Sequence, residues 1–219
     1  MIRAVLFDID GTLIDSNDLH VEAWVQAFAD AGHDVPREAI AGQIGKGGDN
    51  LVPALLPGAD KATAERLSDA HGTIFKARYL DRAQPFPQAR ALIKRVAGDG
   101  RKVVLASSAS SEELDHYVEV LGIADLIAAQ TSIDDVETSK PAPEIFAAAL
   151  KKAGVGGDEA VAVGDTPYDV ASAAGAGIGT VAVLSGGFAE DVLREAGATA
   201  VYADVATLLA GYAESPLAR

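Results

Sequence analysis

Six short runs of β-branched and aliphatic residues, "RAVLFDI", "RKVVLASS", "LIAAQTS", "AVAVGD", "IGTVAVLS" and "TAVYAD", each give way to text of helical spacing. That alternation predicts βαβ units and a parallel sheet, and it constrains the fold more than any other feature of the chain. One stretch breaks it. From about residue 17 to 82 no comparable run occurs. Leu19, Ala23, Trp24, Ala27, Phe28 and Ala31 instead fall at helical spacing, and "KATAERLSDAHGTIFKARYL" is a second long helical segment. This all-helical text follows a single strand, so it reads as an insertion rather than a leading domain. The expected division is an α/β core of residues 1–15 and 83–219 and a helical unit of residues 16–82. Asp15 or Ser16 is placed to cap the first inserted helix, and Pro85-Phe86-Pro87 stiffens the return. Residues 14–17 and 82–87 are therefore the candidate hinges.

With 219 residues, 49% of them hydrophobic, the chain can bury a substantial core. Its net charge of -14, with no Lys/Arg-rich block, argues against nucleic acid and against an anionic membrane surface. There are no cysteines, hence no disulfide framework, thiolate metal site or thiol nucleophile. No apolar stretch approaches the ~18 residues of a membrane helix. The start "MIRAVLFDIDG" lacks a signal-peptide pattern, so a cytoplasmic location is expected. A monomer is compatible with all of this.

In open parallel sheets ligands bind outside the carboxyl ends of the strands, so the residues that end each run should meet. Asp8 and Asp10 follow the first run, Ser107 and Ser108 follow "VVLA", Lys140 lies in "TSKPAPEIF", and Asp165 and Asp169 lie in "VAVGDTPYD". Asp8 and Asp10, two apart on extended chain, start on one face, and Gly11 then frees the backbone to turn. Carboxylates suit a hard cation such as Mg²⁺. A lysine and hydroxyls beside them suit a phosphoryl group, whose transfer needs chiefly positioning and charge neutralisation.

"DIDGT", the Ser107 strand end, Lys140 and "GDTPYD", in that order and spacing, resemble the haloacid dehalogenase superfamily, in the subgroup with a helical cap inserted after the first strand. The resemblance covers essentially the whole chain. It implies a Rossmann-like core with a parallel β-sheet plus an inserted all-helical cap, and a Mg²⁺-dependent phosphatase working through an aspartyl-phosphate. By the same resemblance Asp8 is the nucleophile, Asp10 the general acid/base, Ser107 the phosphate-holding hydroxyl and Lys140 the neutralising cation. The metal would be held by Asp8, Asp165 and the main-chain carbonyl of Asp10, and Ser108 would lie beside the bound phosphate. The implied substrate is a small phosphorylated metabolite, phosphoglycolate- or sugar-phosphate-like. The alternative is a phosphomutase of the β-phosphoglucomutase kind. A phospho-receiver is disfavoured, because receivers carry their acidic pair and phosphoacceptor on different strands, whereas Asp8 and Asp10 share one.

Several of these residues also admit plainer roles. Ser110-Ser111-Glu112-Glu113 is a capping box. Lys140 ahead of "PAPE" fits a helix entry. Asp169 in Thr166-Pro167-Tyr168-Asp169 is either metal support or a helix cap. "QIGKGGDN" (residues 43–50) is a loop that either bends over a ligand, with Lys46 holding a distal anion, or stays solvated. His20 and Trp24, one helical turn apart, either line the cleft or pack within the helical unit. In the sugar-phosphate mutases that the chain resembles at "DIDGT", His20 and Trp24, the equivalent loop supplies an arginine to a second phosphate; here no arginine lies between Arg37 and Arg66.

Overall fold

A computed structural model describes residues 1–219. In chain order its elements are β1 (Ala4–Phe7), β2 (Ile14–Asp15), α1 (Asn17–Asp30), α2 (Arg37–Ala41), α3 (Gly48–Leu55), α4 (Lys61–Arg78), β3 (Gln84–Pro85), α5 (Ala89–Gly98), β4 (Lys102–Ala106) and α6 (Ser111–Leu121). There follow β5 (Ile127–Thr131), α7 (Glu144–Ala153), β6 (Ala160–Gly164), α8 (Pro167–Gly175), β7 (Gly179–Val183), α9 (Glu190–Glu195), β8 (Ala200–Tyr202) and α10 (Val205–Ala210). The six runs read from the sequence form one parallel sheet in the order β5-β4-β1-β6-β7-β8. The chain moves from β1 through β4 to β5 on one side and then fills the other, so the order reverses around β1. That is where an open α/β sheet leaves a crevice.

Strand β1 is apolar throughout because both of its faces are covered. Val5 and Phe7 point into a layer with Leu92, Ile93, Leu114, Tyr117 and Leu208 from α5, α6 and α10. Ala4 and Leu6 point into a second layer with Ile145, Phe146, Ala149 and Ala173 from α7 and α8. With β4 and β6 in register on either side, Phe7 pairs with Leu105 and with Val163, so the polar residues that follow each strand emerge at one edge.

Helices α1 to α4 lie between β2 and β3 and enclose a cluster of their own, in which Trp24 and Phe28 of α1 pack with Ile40, Leu51, Val52 and Leu67. Trp24 is thus a packing residue whose edge also reaches the cavity described below. The Asp60 carboxylate accepts from Thr63 N at 2.8 Å and caps α4. The two crossings into this unit pair with each other, since β2 and β3 form an antiparallel ribbon (Ile14 with Pro85, Asp15 with Gln84). Two-residue strands carry no readable period, which is why the sequence shows two separate crossings. Ser16 does stand at the N-cap of α1, but its side chain makes no cap bond. Its hydroxyl donates to Asp10 instead.

Candidate active site

Asp8 follows β1 and is almost wholly buried. Lys140, from the loop between β5 and α7, donates to Asp8 Oδ1 at 2.5 Å and to the Ala106 carbonyl at 3.1 Å, which fixes the ammonium at the edge of the sheet. The same ammonium lies 2.6 Å from Asp169 Oδ1 as an ion pair. Asp169 Oδ2 meanwhile accepts from Thr166 N at 3.0 Å and from the Thr166 hydroxyl at 2.7 Å, closing the capping box of α8. One carboxylate therefore caps α8 with one oxygen and anchors Lys140 with the other. Asp165, just before α8, accepts from the Thr12 hydroxyl at 2.8 Å and from Asn17 Nδ2 at 3.0 Å. Gly11 has φ of +73°, and a methyl there or at Gly186 would overlap the Asp165 carboxylate, so both positions require glycine.

Ligand oxygens of Asp8, Asp165 and Asp169 all lie within 4.8 Å of one another. Three buried carboxylates share one ammonium, and the electrostatics show the deficit. Burial, then the charge of Asp169, pushes Asp8 up to about 7 against the downward pull of Lys140. Burial, then Asp169 and Asp8, holds Asp165 well above the ordinary carboxylate range. Lys140 stays charged: burial opposes this, but the two facing carboxylates outweigh it and raise its pKa. The Asn17 side-chain oxygen beside the cluster is buried with no partner. An all-oxygen donor set with excess negative charge fits a hard divalent cation, which the cluster of Asp8, Asp165 and Asp169 could hold. The Asp10 carboxylate lies outside the cluster.

This charge deficit has a measurable consequence in the metal-free protein. Asp8 has a pKa of about 7 folded against an ordinary 3.8, so the folded state binds this proton more tightly. Stability should therefore rise as pH falls through about 7 and be fully gained below the unfolded value. Thermal melts under chelator should show Tm, relative to an Asp8→Asn variant, rising from about pH 8 to about pH 5, and Mg²⁺ should flatten the difference. An identical profile with and without Mg²⁺ would contradict the cation fit.

Asp10 sits in different surroundings. Its Oδ1 accepts from the Ser16 hydroxyl at 2.6 Å and faces His20 Nε2 at 3.1 Å. Burial raises its pKa, but the charge of His20 and the bonds from His20 and Ser16 prevail and lower it. His20 stacks on Phe75 with ring centroids 3.8 Å apart.

A cavity of about 480 Å³ opens over Asp8 and Asp10 between the sheet edge and the helical unit. Ser108 lines it, while Ser107 is fully buried behind, its hydroxyl accepting from Ala109 N at 3.0 Å. The glycine loop is fastened to the core. Gly47 N donates to the Ser139 hydroxyl at 3.0 Å, Ser139 N donates to Asp49 at 3.0 Å, and Asn50 Nδ2 donates to the Ser139 carbonyl at 3.1 Å. Lys46 lies in the cavity wall, donating to Gln43 Oε1 at 2.5 Å with its ammonium 4.5 Å from the Tyr168 ring centre.

The wall of the cavity opposite the sheet comes from α4, through Ser68, His71, Gly72 and Lys76. Sequence reading missed these residues, although their three-to-four spacing marks one polar face of the helix. It also missed Asn17 and Ser139, whose partners are remote in sequence and leave no local signal.

The family model described as haloacid dehalogenase-like hydrolase matches residues 2–177. A phosphoglycolate phosphatase from Rhodospirillum rubrum is 31% identical over 217 residues, covering 95% of this chain and 90% of its own. The crystal structure of a hydrolase from Pseudomonas syringae superposes with a TM-score of 0.91 at 30% identity, covering 98% of this chain and 99% of that one. A putative beta-phosphoglucomutase from Bacteroides vulgatus superposes with a TM-score of 0.87 at 25% identity, covering 96% and 87%.

Proposed function

The chain belongs to the haloacid dehalogenase-like hydrolases, and on that footing we propose that it is a Mg²⁺-dependent phosphatase that hydrolyses a small phosphorylated metabolite through an aspartyl-phosphate on Asp8. The observation that carries this reading is the geometry at one sheet edge: Asp8, Asp165 and Asp169 bring carboxylate oxygens within 4.8 Å of one another around the Lys140 ammonium, while Asp10, two residues on, faces His20 at 3.1 Å beside the same cavity. A carboxylate at the cation and ammonium and a second one outside that cluster are placed for different roles.

A carboxylate oxygen of Asp8 attacks the phosphorus in line, and the bond from phosphorus to the ester oxygen breaks. Asp10 gives its proton to that oxygen. A phosphate dianion bound alongside raises the pKa of Asp10, which equips a carboxyl with a low resting value for the acid half of the cycle. In the second half Asp10 takes a proton from water as the water oxygen attacks phosphorus. The bond to Asp8 then breaks and inorganic phosphate leaves. Ser107, Ser108 and Lys140 hold the phosphoryl group, and Lys140 offsets part of its charge. A divalent cation held by Asp8, Asp165 and the main-chain carbonyl of Asp10 supplies further neutralisation of the phosphoryl oxygens when bound. His20 and Lys46 face the rest of the substrate. The cavity of about 480 Å³ suits a small metabolite rather than a macromolecule.

The likeness to a putative beta-phosphoglucomutase favours a second reading, a phosphomutase. Such an enzyme must grip a non-reacting phosphate as firmly as the reacting one, and a planar arginine fork is suited to that. The loop over this cavity offers Lys46 alone, already engaged by Gln43 and Tyr168. With β-glucose 1-phosphate, a bisphosphate primer and Mg²⁺, phosphate release should outrun formation of glucose 6-phosphate. The reverse order would establish the mutase.

A further inference from the structure

The Asp10 carboxylate is reached by one imidazole, and that imidazole is reached by another. His20 turns Nε2 to Asp10 Oδ1 at 3.1 Å and Nδ1 to His71 Nε2 at 3.3 Å. An ionised carboxylate can only accept, so His20 must carry a hydrogen on Nε2 to bond it. Two facing ring nitrogens share one hydrogen between them, so His71 must complement whatever His20 presents on Nδ1. The stack of His20 on Phe75, 3.8 Å between centroids and 7° between planes, fixes the plane of the ring but not which edge carries hydrogen. His71 is itself held flat against Trp24, 4.2 Å between centroids and 12° between planes. It lines the cavity from α4 and has no bond to Asp10.

We propose, resting on the reading of Asp10 as the proton-transferring group, that His71 is a positioning residue: it takes the far edge of the His20 ring and so keeps the Nε2 hydrogen on Asp10. Oδ1 of Asp10 then remains occupied by Ser16 and His20, and Oδ2 is left to carry the proton. Without the His71 nitrogen, His20 Nδ1 would be buried with no partner, and the ring would gain by turning toward another one, at the expense of its bond to Asp10.

His71→Phe keeps an aromatic ring against Trp24 and removes both nitrogens, whereas His71→Gln returns a polar group near the place of Nε2. His71→Phe should lower kcat on the order of tenfold with KM within about twofold, and His71→Gln should recover most of the loss. Nitrogen-15 spectra should show His20 hydrogen-bearing at Nε2 in the wild type and a mixture of forms in His71→Phe. Unchanged kcat in His71→Phe overturns the proposal, as does a raised KM at unchanged kcat, which would mean direct contact with substrate. A loss shared equally by both variants with an unaltered His20 spectrum also overturns it. If His71→Phe fails to fold, the wild-type spectrum decides, because a bare His20 Nε2 contradicts the assignment. Asp10→Asn is assayed alongside. Full activity there would defeat the reading of Asp10 as the proton-transferring group, whereas loss in Asp10→Asn without loss in His71→Phe defeats only the role of His71.

Discussion

Asp8→Asn should reduce phosphate release by a factor on the order of 10⁴ or more while the protein stays folded. The amide matches the carboxylate in shape, but it carries no negative charge and is a poor nucleophile toward phosphorus. Its effect on folding follows from the charges around it. Lys140 keeps Asp169 at 2.6 Å, so the ammonium is not left unpaired. Three buried carboxylates become two, and the repulsion that raises Asp8 and Asp165 is relieved. The metal-free variant should therefore melt no lower than the wild type near neutral pH, even with turnover lost. Phosphate release and a thermal melt on the same preparation check both halves, and residual activity above about 1% with an intact fold would remove Asp8 from the role of nucleophile.

Asp10→Asn should lower kcat by about 10²- to 10⁴-fold, the usual worth of a positioned proton donor and acceptor. The site should keep its shape, because an asparagine oxygen can still accept from Ser16 and His20 as Oδ1 now does at 2.6 Å and 3.1 Å. The loss should depend on the substrate. An alkyl phosphate needs its leaving oxygen protonated, so both displacements suffer. An aryl phosphate with an acidic leaving group needs no such help in the first displacement, and only the attack of water slows. Steady-state rates on an alkyl and a nitrophenyl phosphate, with bursts of nitrophenol followed separately, distinguish these cases. An equal loss in every phase would mean that Asp10 serves the metal or the fold rather than the proton.

The sheet was legible because buried parallel strands must be short, apolar runs, and all six runs are strands of one sheet. The residues that end them were legible because a parallel sheet brings its carboxyl ends to one edge. What could not be read was partnership. Ser16 looks like a helix cap and stands at the cap position, but a carboxylate in reach of its hydroxyl, six residues back, takes the bond. Asp169 left two roles open, and the structure shows it closing the capping box with one oxygen while the other meets Lys140, 29 positions earlier in the chain. The glycine loop at residues 43–50 reads as one that either bends over a ligand or stays solvated, and only the fold brings Ser139 to its backbone. The ribbon of β2 and β3 is too short to show a period, and the polar face of α4 acquires meaning only once a cavity lies against it.

The most direct test of phosphoryl transfer through Asp8 is to catch the intermediate. In Asp10→Asn treated with Mg²⁺ and an aryl phosphate, Asp8 can still displace the acidic aryloxide from phosphorus, but the variant lacks the base for water, so the phosphorylated form should accumulate. Acid quenching within the first turnover, digestion and mass spectrometry of the peptide spanning residues 4–11 should then show the added mass of one phosphoryl group on Asp8, absent when Asp8 is also replaced by Asn. A quenched enzyme that has released a full equivalent of leaving group yet carries no phosphoryl group, or carries it on another residue, would contradict the account.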